Sequence, residues 1–470
     1  MKRIKYYLAA LVTSVMLLSS CSDTFFNINT DPNNPAVSTP TYVLPSGISG
    51  SAYVMGGYYQ ALGGFWSQQY AQSSGASQWI EWESYNLTED GFDRQFSTIY
   101  AGALQDYEYV RVSSAATSNW KFYAIATLMQ AYTFQVMADL YDQVPFTEAL
   151  KGLNNLQPKY ENGQIIYDSL LARIDVAMSK DFTAPTAQSP GNADVVFGGD
   201  MTSWMQFANT LKLKIYLRYV NVDANLPNGN RFNNQMVALL AENNFLSTDA
   251  KFTAFKDETT GGNPFWNTFG DRLTGNVVAN NTMINFLNDN SDPRMSKLYN
   301  AASTGGLYGG IDTGDSKNNP TLTISNYATP TLLTDHTAPV YFFSKEEALF
   351  LIAEAQERTG NTGAASITFK NGIKASLVSL NLSETEKTYT YDGIKSIIVQ
   401  KWVAATNKRS LESFFDYNRT GYPDNFAKSK TSVLNDNDRP KRLFFPSSER
   451  KSNANTPKKV ALTVPVWWAK

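Results

Sequence analysis

WKFYAIATLMQAYTFQVMADLY, residues Trp120–Tyr141, is the stretch that decides the fold. Its apolar residues fall at Tyr123-Ala124, Leu128, Ala131-Tyr132, Val136 and Leu140, with Phe122, Ile125-Ala126 and Met129 beside them. A spacing of three or four residues is one turn of helix. Two faces are apolar, so other elements are expected to surround this helix. Gln143-Val144-Pro145 ends it, because Pro cannot continue the hydrogen-bond ladder.

The same period recurs outward from there. Residues 160–178 form an amphipathic helix through Ile165-Ile166, Leu170-Leu171, Ile174 and Ala177. Trp204–Tyr219 is helical, and its Lys212, Lys214 and Arg218 read as long side chains snorkelling over an apolar groove. Upstream, Phe92–Val112 has helical spacing, and residues 45–72 read as a Gly- and Ala-rich helix suited to close packing. Residues 221–340 change character: Gly, Asn, Thr, Asp and Pro abound, and only Gln235–Ala241 and Thr282–Asn288 read as helices. A loop-rich insert in a helical chain is where binding residues concentrate.

Ser344-x-x-Glu347 is a capping box that reopens the helical part. Ala353, Ala365, Phe369 and Gly372 then follow the small, small, aromatic, small positions of a tetratricopeptide hairpin, without its closing Pro. A helix is expected from Gly393 to about Tyr417, then a tail broken by Pro423, Pro440, Pro446, Pro457 and Pro465. The fold class is therefore mainly α: tetratricopeptide-like helical hairpins form a body that carries a loop-rich ligand-binding insert.

The first residues set the location. Lys2, Arg3 and Lys5 precede an uncharged run, Tyr6–Leu18, too short for a span that needs about 20 residues. It reads as a secretory signal. Leu18-Ser19-Ser20-Cys21 resembles a bacterial lipobox, in which the Cys becomes the first mature residue and is acylated. Cys21 is the only cysteine, so no intramolecular disulfide is possible. One acyl chain binds a membrane marginally and two or more hold it stably. The domain plan is a signal over 1–20, a tether over 21–44 and a single domain over 45–470.

Composition narrows the function. The 470-residue chain carries a net charge of −2. A mildly acidic protein does not suit nucleic acid. The single histidine, His336, weighs against a histidine-rich zinc site or a Ser-His-Asp triad, and reads as a loop residue. Asp289 with Asp292, and Asp312 with Asp315, lie in loops, but no spacing matches a calcium loop. No metal and no cofactor is assigned.

Segments spread along the whole chain resemble the SusD/RagB family of nutrient-binding lipoproteins, in its SusD-like 2 branch. They are Cys21 with Asp31-Pro32-Asn33-Asn34-Pro35; Ala131-Tyr132-Thr133-Phe134 leading into Asp139–Ala149; and Asn209-Thr210-Leu211-Lys212-Leu213-Lys214. Asp292-Pro293-Arg294-Met295, Lys401-Trp402-Val403-Ala404, Asn418–Pro423 and Arg442–Glu449 complete the set. The resemblance implies a helical, tetratricopeptide-like body on the outer face of an outer membrane. It also implies a SusC-like TonB-dependent transporter as partner, and capture of a glycan or peptide without chemistry on it.

For the ligand, aromatic faces and nearby polar groups are the features to seek. Trp79, Trp82 and Tyr85 lie beside Glu81 and Glu83; Phe265 and Trp266 lie in a Gly/Asn/Pro loop with Asp271 and Arg272 close behind. The expected ligand-binding set is Trp79, Trp82, Tyr85, Phe265, Trp266 and Arg272, with the two groups converging; the alternative is that the tryptophans belong to the core. Two other functions compete with this reading. A glycoside hydrolase would pair Glu81 and Glu83 as its two carboxylates, but residues two apart on a helix diverge. A tetratricopeptide-type scaffold binding only proteins would not need the long insert.

Overall fold

The computed structural model describes residues 38–225, 230–258, 260–318, 321–435 and 438–469. The signal, Cys21 and the tether up to residue 37 lie outside the described residues.

Trp120–Tyr141 is a helix with the bounds its periodicity sets, and it is buried along nearly its whole length. Gln105–Ala116 packs on one side of it and Gly163–Met178 on another. The first helix among the described residues, Pro40–Val54, lies on Gln105–Ala116. It begins inside the expected tether, since Pro40 occupies a first-turn position where a missing N–H costs nothing. Gly47 makes the contact possible: a Cβ there would stand 2.8 Å from Cε1 of Tyr107.

A π-helical turn, Met55–Tyr59, separates Pro40–Val54 from the next helix, Gln60–Trp66. It lies where the antiparallel ribbon of Ala250–Phe252 and Val340–Phe343 presses in. A Cβ on Gly56 would sit 2.1 Å from Val340 Cγ2. Residues 70–72 are not helix but a strand, Tyr70–Gln72, paired with Val277–Ala279 of the insert. Tyr160–Asn162 likewise leaves the expected helix and pairs with Gln143–Pro145.

Ser344 caps Lys345–Arg358 by accepting the Glu347 N–H at 3.2 Å. That helix and Thr362–Val378 form the expected hairpin. Gly372 lets the Phe350 ring approach, since a Cβ would meet it at 2.7 Å. The expected single helix beyond Gly393 is two, Gly393–Ala405 and Ser410–Thr420. Between them Asn407 has a positive φ, and its Nδ2 donates to the Leu298 carbonyl at 2.6 Å. A tertiary bond to the insert thus overrides local helix propensity.

Inside the body lies a buried ionic network. Lys214 Nζ stands 2.5 Å from Glu412 and 3.1 Å from Glu347. Arg218 reaches Glu412 at 3.0 Å and Asp139 at 3.1 Å. Arg409 bridges Glu347 and Glu412, Lys401 meets Asp416 at 2.9 Å, and Arg419 joins Asp416 to Glu354. Lys214 and Arg218 are therefore not snorkelling: both are fully buried, and only Lys212 stays at the surface, on Asp175. Periodicity cannot reveal carboxylates supplied by other helices. Burial pushes the Glu412 carboxyl up, but Lys214, Arg218 and Arg409 outweigh it and hold the group well below the carboxylate range. The C-terminal tail closes the network: the buried Trp468 donates its Nε1–H to Asp139 Oδ1 at 2.7 Å.

The insert is stitched by two-stranded ribbons and keeps a small core of its own. Met283, Ile284, Leu287, Leu298 and Tyr299 pack there on Trp402 and Val403 of the body. No helix among the described residues is long and apolar enough to cross a membrane.

Candidate functional site

Phe269 links Trp79 to Phe265 below the surface. Trp79 and Trp82 lie with ring centroids 4.5 Å apart, and Trp79 stands 5.1 Å from Phe269, which in turn stacks 4.7 Å from Phe265. Trp82 packs edge-on to Phe65 and tilted on Phe92. Trp79 is 4 % exposed, Trp82 6 %, Tyr85 2 % and Phe265 0 %. Where those four were expected to stack on a ligand, Trp79, Trp82 and Phe265 pack against other aromatic rings and Tyr85 is buried. Burial of each such ring is worth more to the fold than exposure. The indole N–H of Trp79 is buried without a hydrogen-bond partner.

Glu81 and Glu83 part company as their spacing requires. Glu81 is exposed; Glu83 is buried, its Oε1 accepting the Gln72 N–H at 2.9 Å and its Oε2 the Gly314 N–H at 3.1 Å. Burial pushes the Glu83 carboxyl up to about 8, against the pull of those two bonds. Glu83 thus ties strand Tyr70–Gln72 to the insert, and the carboxylate whose charge reaches it, Asp315, is held by Lys430. Three of the other loop carboxylates are also engaged. Asp312 and Asp315 hold Lys430 Nζ between them, at 3.0 and 2.7 Å, and Asp292 pairs with Arg294 at 2.6 Å.

Trp266 and Arg272 remain at the surface. They open and close a π-helical turn, Trp266–Arg272. Asn263 aims it: its Oδ1 accepts the N–H groups of Phe265 and Trp266, while its own Nδ2 donates to the Ala338 carbonyl at 2.7 Å. Two glycines make room for the indole, since a Cβ on Gly262 or Gly270 would come within 3.0 or 2.8 Å of it. The half-buried ring stacks on His336, with centroids 4.1 Å apart and planes 29° from parallel. His336 Nδ1 is hydrogen-bonded to Asp257. Arg272, exposed, leans back on the Asn267 carbonyl and Thr268 Oγ1. Its charge also reaches Tyr58, whose hydroxyl is pushed up by burial and drawn down by Arg272 and Arg94.

The outcome is a ledge, with one aromatic ring backed by an imidazole and flanked by Asp257 and Arg272. Such a surface can stack on the C–H face of a sugar or a flat side chain and hydrogen-bond its rim. His336 and Asp257 were not legible as partners of Trp266. Bonds from Asn263 to the His336 and Ala338 carbonyls, and the close approach of Gly270 to Leu333, bring these loops together.

The family model described as "Starch-binding associating with outer membrane", SusD-like 2, matches residues 32–446. Among curated proteins none matches the chain. Several solved structures share the fold. A SusD homologue from Bacteroides uniformis is 21% identical with a TM-score of 0.75, covering 91% of this chain and 99% of its own. A SusD-like protein from Bacteroides thetaiotaomicron is 22% identical at 0.75, covering 92% and 98%. A chitin-binding SusD homologue from Flavobacterium johnsoniae is 19% identical at 0.74, covering 90% and 98%.

Proposed function

The chain belongs to the SusD-like 2 family, and on that footing we propose that it is a lipid-anchored surface protein that captures a glycan and delivers it to a SusC-like TonB-dependent transporter. The observation that carries this reading is the family match from residue 32 to residue 446. The lipobox Cys21 supports the anchor. The chitin-binding relative of like fold supports a glycan over a peptide. The ligand face is the ledge of Trp266 and Arg272, with Trp79, Trp82, Tyr85 and Phe265 as the aromatic bed beneath it. The protein performs no chemistry: Glu83 is locked to two backbone N–H groups, and Glu81 stands alone at the surface.

Four measurements test this. Labelled palmitate is expected on the full-length protein and absent from Cys21→Ser. Protease added to intact cells is expected to shave it from the surface. A pull-down from outer membranes is expected to yield a β-barrel transporter; only water-soluble partners would favour a protein-binding scaffold. In a glycan and peptide array, Trp266→Ala is expected to lose about tenfold in affinity for the bound glycan. Unchanged affinity would remove the ledge from the site.

A further inference from the structure

A cavity of about 300 Å³ opens where three segments meet: the end of the insert helix Asn281–Asp289, the start of helix Gly393–Ala405, and the loop at Asp424-Asn425. That volume lies at the lower end of small-ligand sites, about 300–1,000 Å³. Its floor is apolar. Phe286 and Tyr389 line it with planes 9° from parallel and centroids 6.3 Å apart. Its rim carries hydrogen-bonding groups of both kinds: the amides of Asn290, Asn425 and Gln400, and the carboxylate of Asp392. Lys395 also lines it but is spent on Asp424, 2.6 Å away, and Lys387, bonded to the Asn290 carbonyl and 5.2 Å from the centre of the Tyr389 ring, offsets Asp392.

The walls are braced from behind by the Asp292-Pro293-Arg294-Met295 segment, which the ledge does not use. Arg294, fully buried, donates to Gln400 Oε1 at 2.7 Å, to Ser376 Oγ at 3.1 Å and to Asp292. Asp292 Oδ2 in turn accepts the Tyr389 hydroxyl at 2.5 Å. Two lining residues, one aromatic and one amide, are thus fixed by a single buried guanidinium. Side chains locked in this way are what a binding site needs before its ligand arrives.

We propose that this cavity is a second carbohydrate site, holding one pyranose ring. It goes beyond the ledge reading and shares no residue with it. The aromatic floor takes the C–H face of the ring, and the amides and Asp392 take its hydroxyls.

The test titrates full-length protein, in micelles of a detergent without sugar headgroups, with methyl β-glucoside, and reads binding by saturation-transfer NMR. Saturable binding is expected, weakened about tenfold by Phe286→Ala and by Asp392→Ala, and changed less than about twofold by Trp266→Ala. Should Phe286→Ala fail to fold, Asp392→Ala, at an exposed position, decides alone. No saturable binding, or binding indifferent to Asp392→Ala, overturns the assignment. Loss of glucoside binding in Trp266→Ala alone would place the sugar on the ledge, sinking this site and leaving the ledge reading intact.

Discussion

Between the helices, Glu412 meets Lys214, Arg218 and Arg409 out of reach of water; along the insert, Trp266 leans on His336 with Asp257 and Arg272 exposed around it. Both regions mix charge with aromatic rings. In the body the charges are enclosed, so each is worth its desolvation only while every partner is present. They fix how the helices sit against one another. In the insert the charges stay hydrated, worth little to stability and free to meet a ligand. What separates framework from binding surface here is access to water rather than residue type.

The largest effect should come from the body. Glu412→Ala leaves three cations buried with one acid fewer, and is expected to cost roughly 3–5 kcal/mol in urea unfolding. A loss under about 1 kcal/mol would show the network to be wetter than its burial implies and would erase the contrast. Next comes the aromatic bed. Trp79→Ala should destabilise by about 3 kcal/mol, as a buried large-to-small change. If stability holds and glycan binding fails instead, Trp79 belongs to the ledge.

Glu83 marks the seam between the two regions and gives a pH test. Its folded carboxyl is raised from 4.5 to about 8, so its share of stability is full below 4.5 and is lost as pH rises through 8. Glu83→Gln is expected to flatten that decline in thermal melts between those two values, at the cost of one backbone hydrogen bond. A variant that declines like the parent would place the titrating group elsewhere. The smallest stability change is expected from Trp266→Ala, within about 1 kcal/mol, despite its loss of ligand affinity.

The helices were legible because their apolar spacing is local: Trp120–Tyr141 has the bounds its pattern implies, and Ser344 caps where its motif says. The π-helical turn at Met55–Tyr59 was not, since Val340 lies far off in sequence. Nor was the break near Asn407, which answers to the Leu298 carbonyl. Lys214 and Arg218 read as surface cations because nothing beside them names Glu412 or Asp139. At the candidate site, the sequence pointed to segments that the fold brings near one another but not to the depth of their rings. Trp79 and Trp82 share a helix face as their spacing requires, yet that face turns inward onto Phe269. Trp266 was found for its loop context, while His336, its partner, sat in a stretch with no pattern at all.

The placement of Trp468 also dictates a timetable. Its indole completes the bonding of Asp139, an acid on the helix that organises the molecule. A ribosome releases that acid hundreds of codons before it releases the indole, so the interior cannot set while the polypeptide is still emerging. It must wait, half-assembled, for its final stretch; export machinery that threads unfolded chains would find it in that state.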